Sequence, residues 1–424
     1  MTITIDGTVG ANKGVVLDSN GKLPAIDGSQ VTALSATQIT TGTVATARLD
    51  TGTTAGKVLV LDGSGNMPAV DGSLMSGIAS ATKSASNPTI STNPATGLGT
   101  KWINTGTGDV YILTDATAGA NVWTNSGAGT GDILPSSSQG SSYGFVSGGM
   151  NNATGLKIHK ISFASDADAT DHGDLTIARN ATGGTSSLSH GYTWGGYIPS
   201  PGYTDTIDKF AFATTSDATD VGNMVNGGYN FSSHQSLTYG FSTGGTLFPP
   251  SSAVNMIQRV SFASDGNATD WADLAQTGSE AAGCSSATYA YVAGGSSSNR
   301  IEKFPFATQT NATDIADLTV ARSQVAGSQS ETYGYASGGA PVDVIDKFPF
   351  ASDANAADVG NLTSARKAAA GLASTTYGYH AGGTIQGGSG TDEIEKYSFT
   401  TDGNATAVGD LLSYLESIPA GNQY

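Results

Sequence analysis

The sequence predicts an all-β protein: a fibrous N-terminal β stalk, a small β-hairpin module, and a C-terminal six-bladed β-propeller closed by the C-terminal strand. Three observations carry that expectation. A phrase of alternating aromatics ending in two glycines, such as "TTYGYHAGG", recurs along the chain, its second glycine at 149, 196, 245, 295, 339 and 383. By subtraction the intervals are 47, 49, 50, 44 and 44 residues, and a period of this length with several short strands per unit is what a propeller blade requires. Gly, Ser, Thr and Ala dominate the composition while helix formers are scarce, a balance suited to strands and turns. Finally, "VVLDSNGKLPAIDGSQVTAL" (15–34) and "LVLDGSGNMPAVDGSLMSGI" (59–78) are two copies of one phrase, 44 residues apart.

Taken in chain order, each N-terminal phrase holds too few apolar residues to bury a core within one polypeptide. Three chains wound together would share the sparse Ile, Val and Leu positions along an axis, so residues 1–78 are expected to form an attachment segment and stalk, with Met1–Gly14 nearest the anchoring partner. A flexible Gly/Ser/Thr linker is the competing reading. Residues 79–97 lack periodicity and read as a spacer. Over 98–130, strand signals around Trp102, Tyr111–Leu113 and Trp123, separated by Gly/Thr/Asp turns, give a small β module.

Residues 131–424 carry the repeat. After each glycine pair comes a loop of variable length, then an Ile-x-Lys/Arg-x-x-Phe strand: "IHKISF", "IDKFAF", "IQRVSF", "IEKFPF", "IDKFPF" and "IEKYSF". A turn such as "ASDGNATD" follows, then an Asp-Leu or Asn-Leu strand, then a small-residue stretch leading into the next aromatic strand. Small residues ("AAAG", "QVAG", "EAAG") are expected innermost, where space around a central channel is least. The first unit lacks its small-residue strand and the tail "IPAG" (418–421) aligns with "AAAG" (368–371), so the C-terminus is expected to complete the first blade.

The double glycine after an aromatic strand, the "I-D-K-F" strand and the "L-T-x-A-R" segment resemble the Kelch family of propellers. The Arg of that segment stands at Arg179, Arg322 and Arg366 and is missing from the other three units, and the usual Trp before Leu survives only as Trp271, replaced by His172, Val221, Ile315, Val359 and Val408. The three arginines are expected to pair with buried carboxylates or carbonyls between blades. The stalk phrases resemble bacteriophage tail fibres, which are usually homotrimers. The module followed by an "N-A-T-D-x-G-D-L-T-x-A-R" repeat region is similar to structural proteins of marine bacteriophages.

A net charge of −17 with 12% charged residues leaves no basic patch for nucleic acid. No apolar run reaches bilayer-spanning length, and "MTITIDGTVG" lacks the basic and apolar regions of a secretion signal. Cys284 is the single cysteine, so stability rests on packing or oligomerisation. "SDGNATDW" (264–271) holds the letters of a sialidase turn in the wrong order, and the histidines at 159, 172, 190, 234 and 380 sit singly, so neither glycosidase, copper nor zinc chemistry is indicated. Recurrent Asp turns, "SDADATDHGD" (165–174) among them, are read as turns in preference to calcium ligands, and Asn-Ala-Thr triplets at Asn152, Asn180, Asn267, Asn311 and Asn404 likewise.

Within-chain variation is concentrated in the loop after the glycine pair. These loops are expected to cluster on one propeller face, with Tyr197, Tyr203, Phe248, Asn299, Asp343 and Gln386 as candidate binding residues; neutral drift in exposed loops is the bland alternative. The expectation is a non-enzymatic virion protein without cofactor or metal: a trimeric tail fibre, made in the host cytoplasm, joined to other virion proteins through its N-terminus and adsorbing to a bacterial surface glycan or protein. A capsid or collar fibre or decoration protein, a glycan-degrading propeller, and an intracellular Kelch adaptor are the alternatives.

Overall fold

The structure, a computed structural model, describes residues 81–127 and 138–424 except 151, 152, 201, 249, 250, 341 and 416, together with Ser19. The stalk and attachment segment expected over 1–78 lie outside the described residues apart from Ser19. The chain divides into two units, Met1–Ser80 and Ala81–Tyr424. All regular structure described is β-strand but for one short 3-10 turn, Ala153–Leu156.

The small module is a sheet of Thr82–Ser84, Lys101–Asn104, Val110–Asp115 and Val122–Asn125, in that order. Tyr111, Leu113 and Trp123 form its core, capped by Trp102 edge-on to Trp123 at 5.9 Å. The stretch expected as a spacer contributes to this module. Thr82–Ser84 pairs in parallel with Lys101–Asn104, Trp102 Nε1 donates to the Ser86 carbonyl, and Asn121 Nδ2 donates to the Thr92 carbonyl. Its contribution is a single edge strand and polar loop contacts, which leave no apolar period in the sequence.

From residue 138 onward the strands fall into antiparallel quartets, one per repeat: small-residue strand, aromatic strand, Ile-Lys-Phe strand and Asp-Leu strand. Gly183–Ser186, His190–Gly196, Thr204–Ala211 and Thr219–Tyr229 make the second quartet; Ser232–Gln235, Tyr239–Thr243, Ser252–Ser261 and Thr269–Gly278 the third. The two-residue strand Thr246–Leu247 bridges these into one larger sheet whose end strands lie side by side, so that it nearly closes on itself. The fourth quartet starts at Ala282–Ser285, the fifth at Ala326–Gln329 and the sixth at Ala370–Ala373. The first is completed by the tail: Ala420–Gln423 pairs with Tyr143–Ser147, Ala420 opposite Ser147 and Gln423 opposite Gly144.

Sets of contacts link each quartet to the next and return to the first. The second residues of the small strands approach so closely that a Cβ on Gly421 would lie 2.2 Å from the Gly371 carbonyl oxygen, on Gly371 2.0 Å from that of Gly327, on Gly327 2.3 Å from that of Gly283, on Gly283 2.2 Å from that of Ser233, and on Gly184 2.5 Å from that of Gly421. Farther out, the central aromatic of each second strand stacks on the last Phe of the following third strand: Phe145 on Phe212, Tyr192 on Phe262, Phe241 on Phe306, Tyr291 on Phe350, Tyr335 on Phe399, and Tyr379 on Phe163. The Asx turns form a third set. Asp217, Asn267, Asn311, Asn355, Asn404 and Asp168 each accept, through Oδ1, the backbone N–H of a residue in the preceding quartet's outer strand, at 3.0–3.1 Å. The Ala after each donates its own N–H back to that residue's carbonyl at 2.8 Å. The turn residues are thus inter-sheet clasps, which is why "D-A" and "N-A" recur.

The glycine pair has an equally specific cause. Both members are left-handed in every repeat, from Gly148 and Gly149 (φ +75° and +93°) to Gly382 and Gly383 (φ +69° and +97°). Two consecutive residues in this region cost roughly 1–2 kcal/mol each for any side chain but glycine.

Candidate functional site

The antiparallel order assigns the loops to two opposite ends of the quartets. The glycine pair follows the end of each aromatic strand, beside the start of the small strand, as Thr243 pairs with Ser232. Variable loops and the connections from outer strand to next small strand therefore share one end. The Asx turns lie at the other, where Tyr239 pairs with both its own hairpin and Ser261. Ser138 sits at that second end: its buried carbonyl accepts from Gln423 Nε2 and Gln329 Nε2, both last residues of small strands, and Gln139 Nε2 donates to the Ser374 carbonyl. Ser138 thus lies at the end opposite the variable loops.

Tyr203 and Phe248, from the loops of the second and third quartets, are brought together with ring centroids 5.5 Å apart. Tyr197 meets Tyr229 instead, edge-on at 5.9 Å. The platform beneath is the outer strand Thr219–Tyr229, eleven residues long and welded to Thr246–Leu247. A Cβ on Gly227 would come within 2.2 Å of the Tyr203 ring, so the ring packs directly against bare backbone. Tyr197 and Phe248 are 37% and 40% exposed. Sequence reasoning missed Tyr229 and Gly227; the signal was "NGGYN" (226–230), which breaks the Asp-Leu pattern of the outer strands.

The other candidates do not join this cluster. Asn299 is half-buried within Ser298–Pro305, and Asp343 is half-buried with its carbonyl accepting the Leu362 N–H. Gln386 is exposed, its N–H donating to the Ala365 carbonyl, and it lines a 240 Å³ groove with Ile385, Arg366 and Lys367. A narrower 80 Å³ space is lined by all the small strands, including Gly184, Ser233, Gly283, Gly327, Gly371 and Gly421.

The three arginines are buried and paired, and the residue they pair with explains why only three repeats keep one. The second residue of each Ile-x-Lys-x-x-Phe strand is buried and accepts a backbone N–H from the preceding quartet: Thr176 to Asp208, Val225 to Gln258, Ala275 to Glu302, Thr319 to Asp346, Thr363 to Glu395 and Leu412 to His159. Where this acceptor is Asp208, Asp346 or Glu395, an arginine neutralises it at 3.0, 3.0 and 2.8 Å: Arg179, Arg322 and Arg366. Where it is neutral Gln258 or His159 there is none, and Glu302 is served by Arg300 on its own strand at 2.9 Å. A buried carboxylate without a cation would be costly, so charge and counter-charge appear together. Burial pulls the Arg179 and Arg322 guanidinium down from its usual range, against the adjacent Asp208 and Asp346. Burial raises Glu395, and Glu393 beside it is lowered by their shared hydrogen bond.

Four histidines bridge seams between quartets. His159 Nδ1 accepts the Leu412 N–H at 3.1 Å, His172 contacts the Ala211 carbonyl, His234 the Cys284 carbonyl, and His380 the Ser337 hydroxyl. Burial lowers all four, His159 and His234 to about 4. Burial also raises the Cys284 thiol to about 12, where it is not nucleophilic at neutral pH. Among the described residues no group of three or more His, Cys, Asp or Glu is placed to hold a metal ion, and no helix is long and apolar enough to cross a membrane. No protein-family model matches the chain, and no curated protein matches it.

Proposed function

We propose that this chain is a bacteriophage virion protein, a tail fibre whose repeat region is a six-bladed Kelch-like β-propeller and whose variable loops adsorb to the bacterial surface. The observation that carries the reading is the separation of ends. Loops that differ between repeats, and the exposed aromatics on them, lie at the end opposite Ser138. The cyclic clasps, stacks and glycine approaches support the propeller, since each returns from the sixth quartet to the first. In this reading residues 1–78 trimerise as a stalk and bind other virion proteins, and the protein catalyses no reaction.

The test is adsorption of the purified full chain to a panel of bacterial isolates by co-sedimentation, with its solution mass measured alongside. Saturable binding to at least one isolate by a trimer, with no glycan fragments released, is the expected outcome. Absence of binding to every isolate, or fragment release from envelope polysaccharide, would overturn it.

A further inference from the structure

We propose that the aromatic platform shared by the second and third quartets is a binding subsite for an uncharged polysaccharide, with Tyr203 and Phe248 as the stacking residues; this rests on the adsorption reading above. Two independent features single the platform out. It stands where the strand Thr246–Leu247 merges two neighbouring quartets into one sheet, Tyr229 opposite Thr246 and Gly228 opposite Leu247, so Tyr203 and Phe248 each sit directly beside a strand of that sheet. The rings are also pre-set: Tyr203 lies over Gly227 and against Phe248, and Tyr197 against Tyr229. Fixed aromatic faces lose little freedom when a ligand arrives.

Charge then selects the ligand. The described residues of 197–204, 225–230 and 246–253 include no Asp, Glu, Lys or Arg in a chain whose net charge is −17. An anionic polymer would find no cation there and would meet the repulsion of the whole molecule. The carboxylate at its edge, Glu280, already accepts hydrogen bonds from Asn230 and Gln324, which leaves the aromatic faces themselves without charge. The C–H faces of neutral sugar rings match the rings of exposed Phe248 and half-buried Tyr203, and Asn226 supplies an exposed amide for sugar hydroxyls.

Affinity electrophoresis of the full chain in gels containing dextran, mannan, galactan or, as anionic controls, alginate or heparin tests this. Retardation is expected in at least one neutral gel, unchanged by 0.5 M salt (about five times the ionic strength at which surface charges are already screened beyond ~10 Å), and weakened at least tenfold in Tyr203→Ala and Phe248→Ala. Thermal melts equal to the parent protein establish that both variants fold, and Leu412→Ala, on an exposed outer strand, serves as the unaffected control. Retardation only in anionic gels, in none, or undiminished in both variants overturns the proposal, as does a fall in oligomer mass in the variants, which would assign the platform to contact between copies. Cell adsorption that persists in both variants removes the subsite and leaves the adsorption reading standing; loss of adsorption by the parent protein removes that reading itself.

Discussion

His159 offers the sharpest quantitative prediction, because the protein contains its own control. Its Nδ1 accepts a backbone N–H, which only the neutral imidazole can do, and burial holds it at about 4 against a usual 6.5. The charged groups facing it, Asp171 and Lys157, act in opposite directions and are secondary to burial. The unfolded chain takes up this proton first, so the contribution to stability is complete above pH 6.5 and is lost as pH falls from 6.5 towards 4. A difference of about 2.5 pKa units corresponds to about 3 kcal/mol over that interval. The third quartet performs the same task with Gln258, which does not titrate. His159→Gln is therefore expected to keep the seam bond and lose the pH dependence. Urea unfolding followed by tryptophan fluorescence at pH 7.5, 5.5 and 4 should show the variant gaining about 3 kcal/mol on the parent between the first and last values. Parallel stability curves for the two proteins would refute the reasoning.

Three further outcomes follow from the same seams. Asp208→Ala leaves Arg179 buried without its partner and should cost about 3–5 kcal/mol, whereas Arg179→Leu with Asp208→Gln, which copies the arrangement around Gln258, should recover most of it; chemical denaturation of both variants decides. Gly371→Ala places a Cβ 2.0 Å from the Gly327 carbonyl oxygen and should destabilise by about 3 kcal/mol or more, while Ala373→Gly should cost less. Removal of residues 419–424 strips the small strand from the first quartet and should abolish the cooperative thermal transition seen by calorimetry.

The repeat was legible because its constraints are local and periodic. The alternating aromatics, the left-handed glycine pair and the Ile-Lys-Phe strand each solve the same packing problem in every unit, and the tail was recognisable as the missing small strand. What the sequence hid were relations between units. The pairing of Arg179, Arg322 and Arg366 with buried carboxylates was legible, but not why only three repeats keep an arginine: the buried acceptor in the following repeat is carboxylate in those cases and neutral or locally paired in the others. Lys209, Lys303, Lys347 and Lys396 pair with Asp265, Asp353, Asp402 and Asp166 on the next turn. Lys160 and Arg259 face repeats with Thr215 and Gln309 at that position and lie instead over Tyr143 and Trp271, at 3.9 and 3.5 Å. The candidate site was only half legible. Exposure of Tyr197 and Phe248 followed from loop position, but the weld through Thr246–Leu247 depends on an outer strand whose extension only the break at "NGGYN" (226–230) marks. Asn299, Asp343 and Gln386 rest on loop position alone, and nothing in their surroundings draws them to the aromatic platform.

The central claim is that the quartets close into one ring through the C-terminal strand, with the variable loops opposite the junction at Ser138. Electron cryomicroscopy of the full chain tests it most directly. The account predicts six wedges around a narrow axial hole, residues 420–423 hydrogen-bonded to 143–147, and the density preceding Ser138 leaving from the end that carries the Asx turns. An open arc of sheets, or a chain preceding Ser138 that emerges among the variable loops, would contradict it.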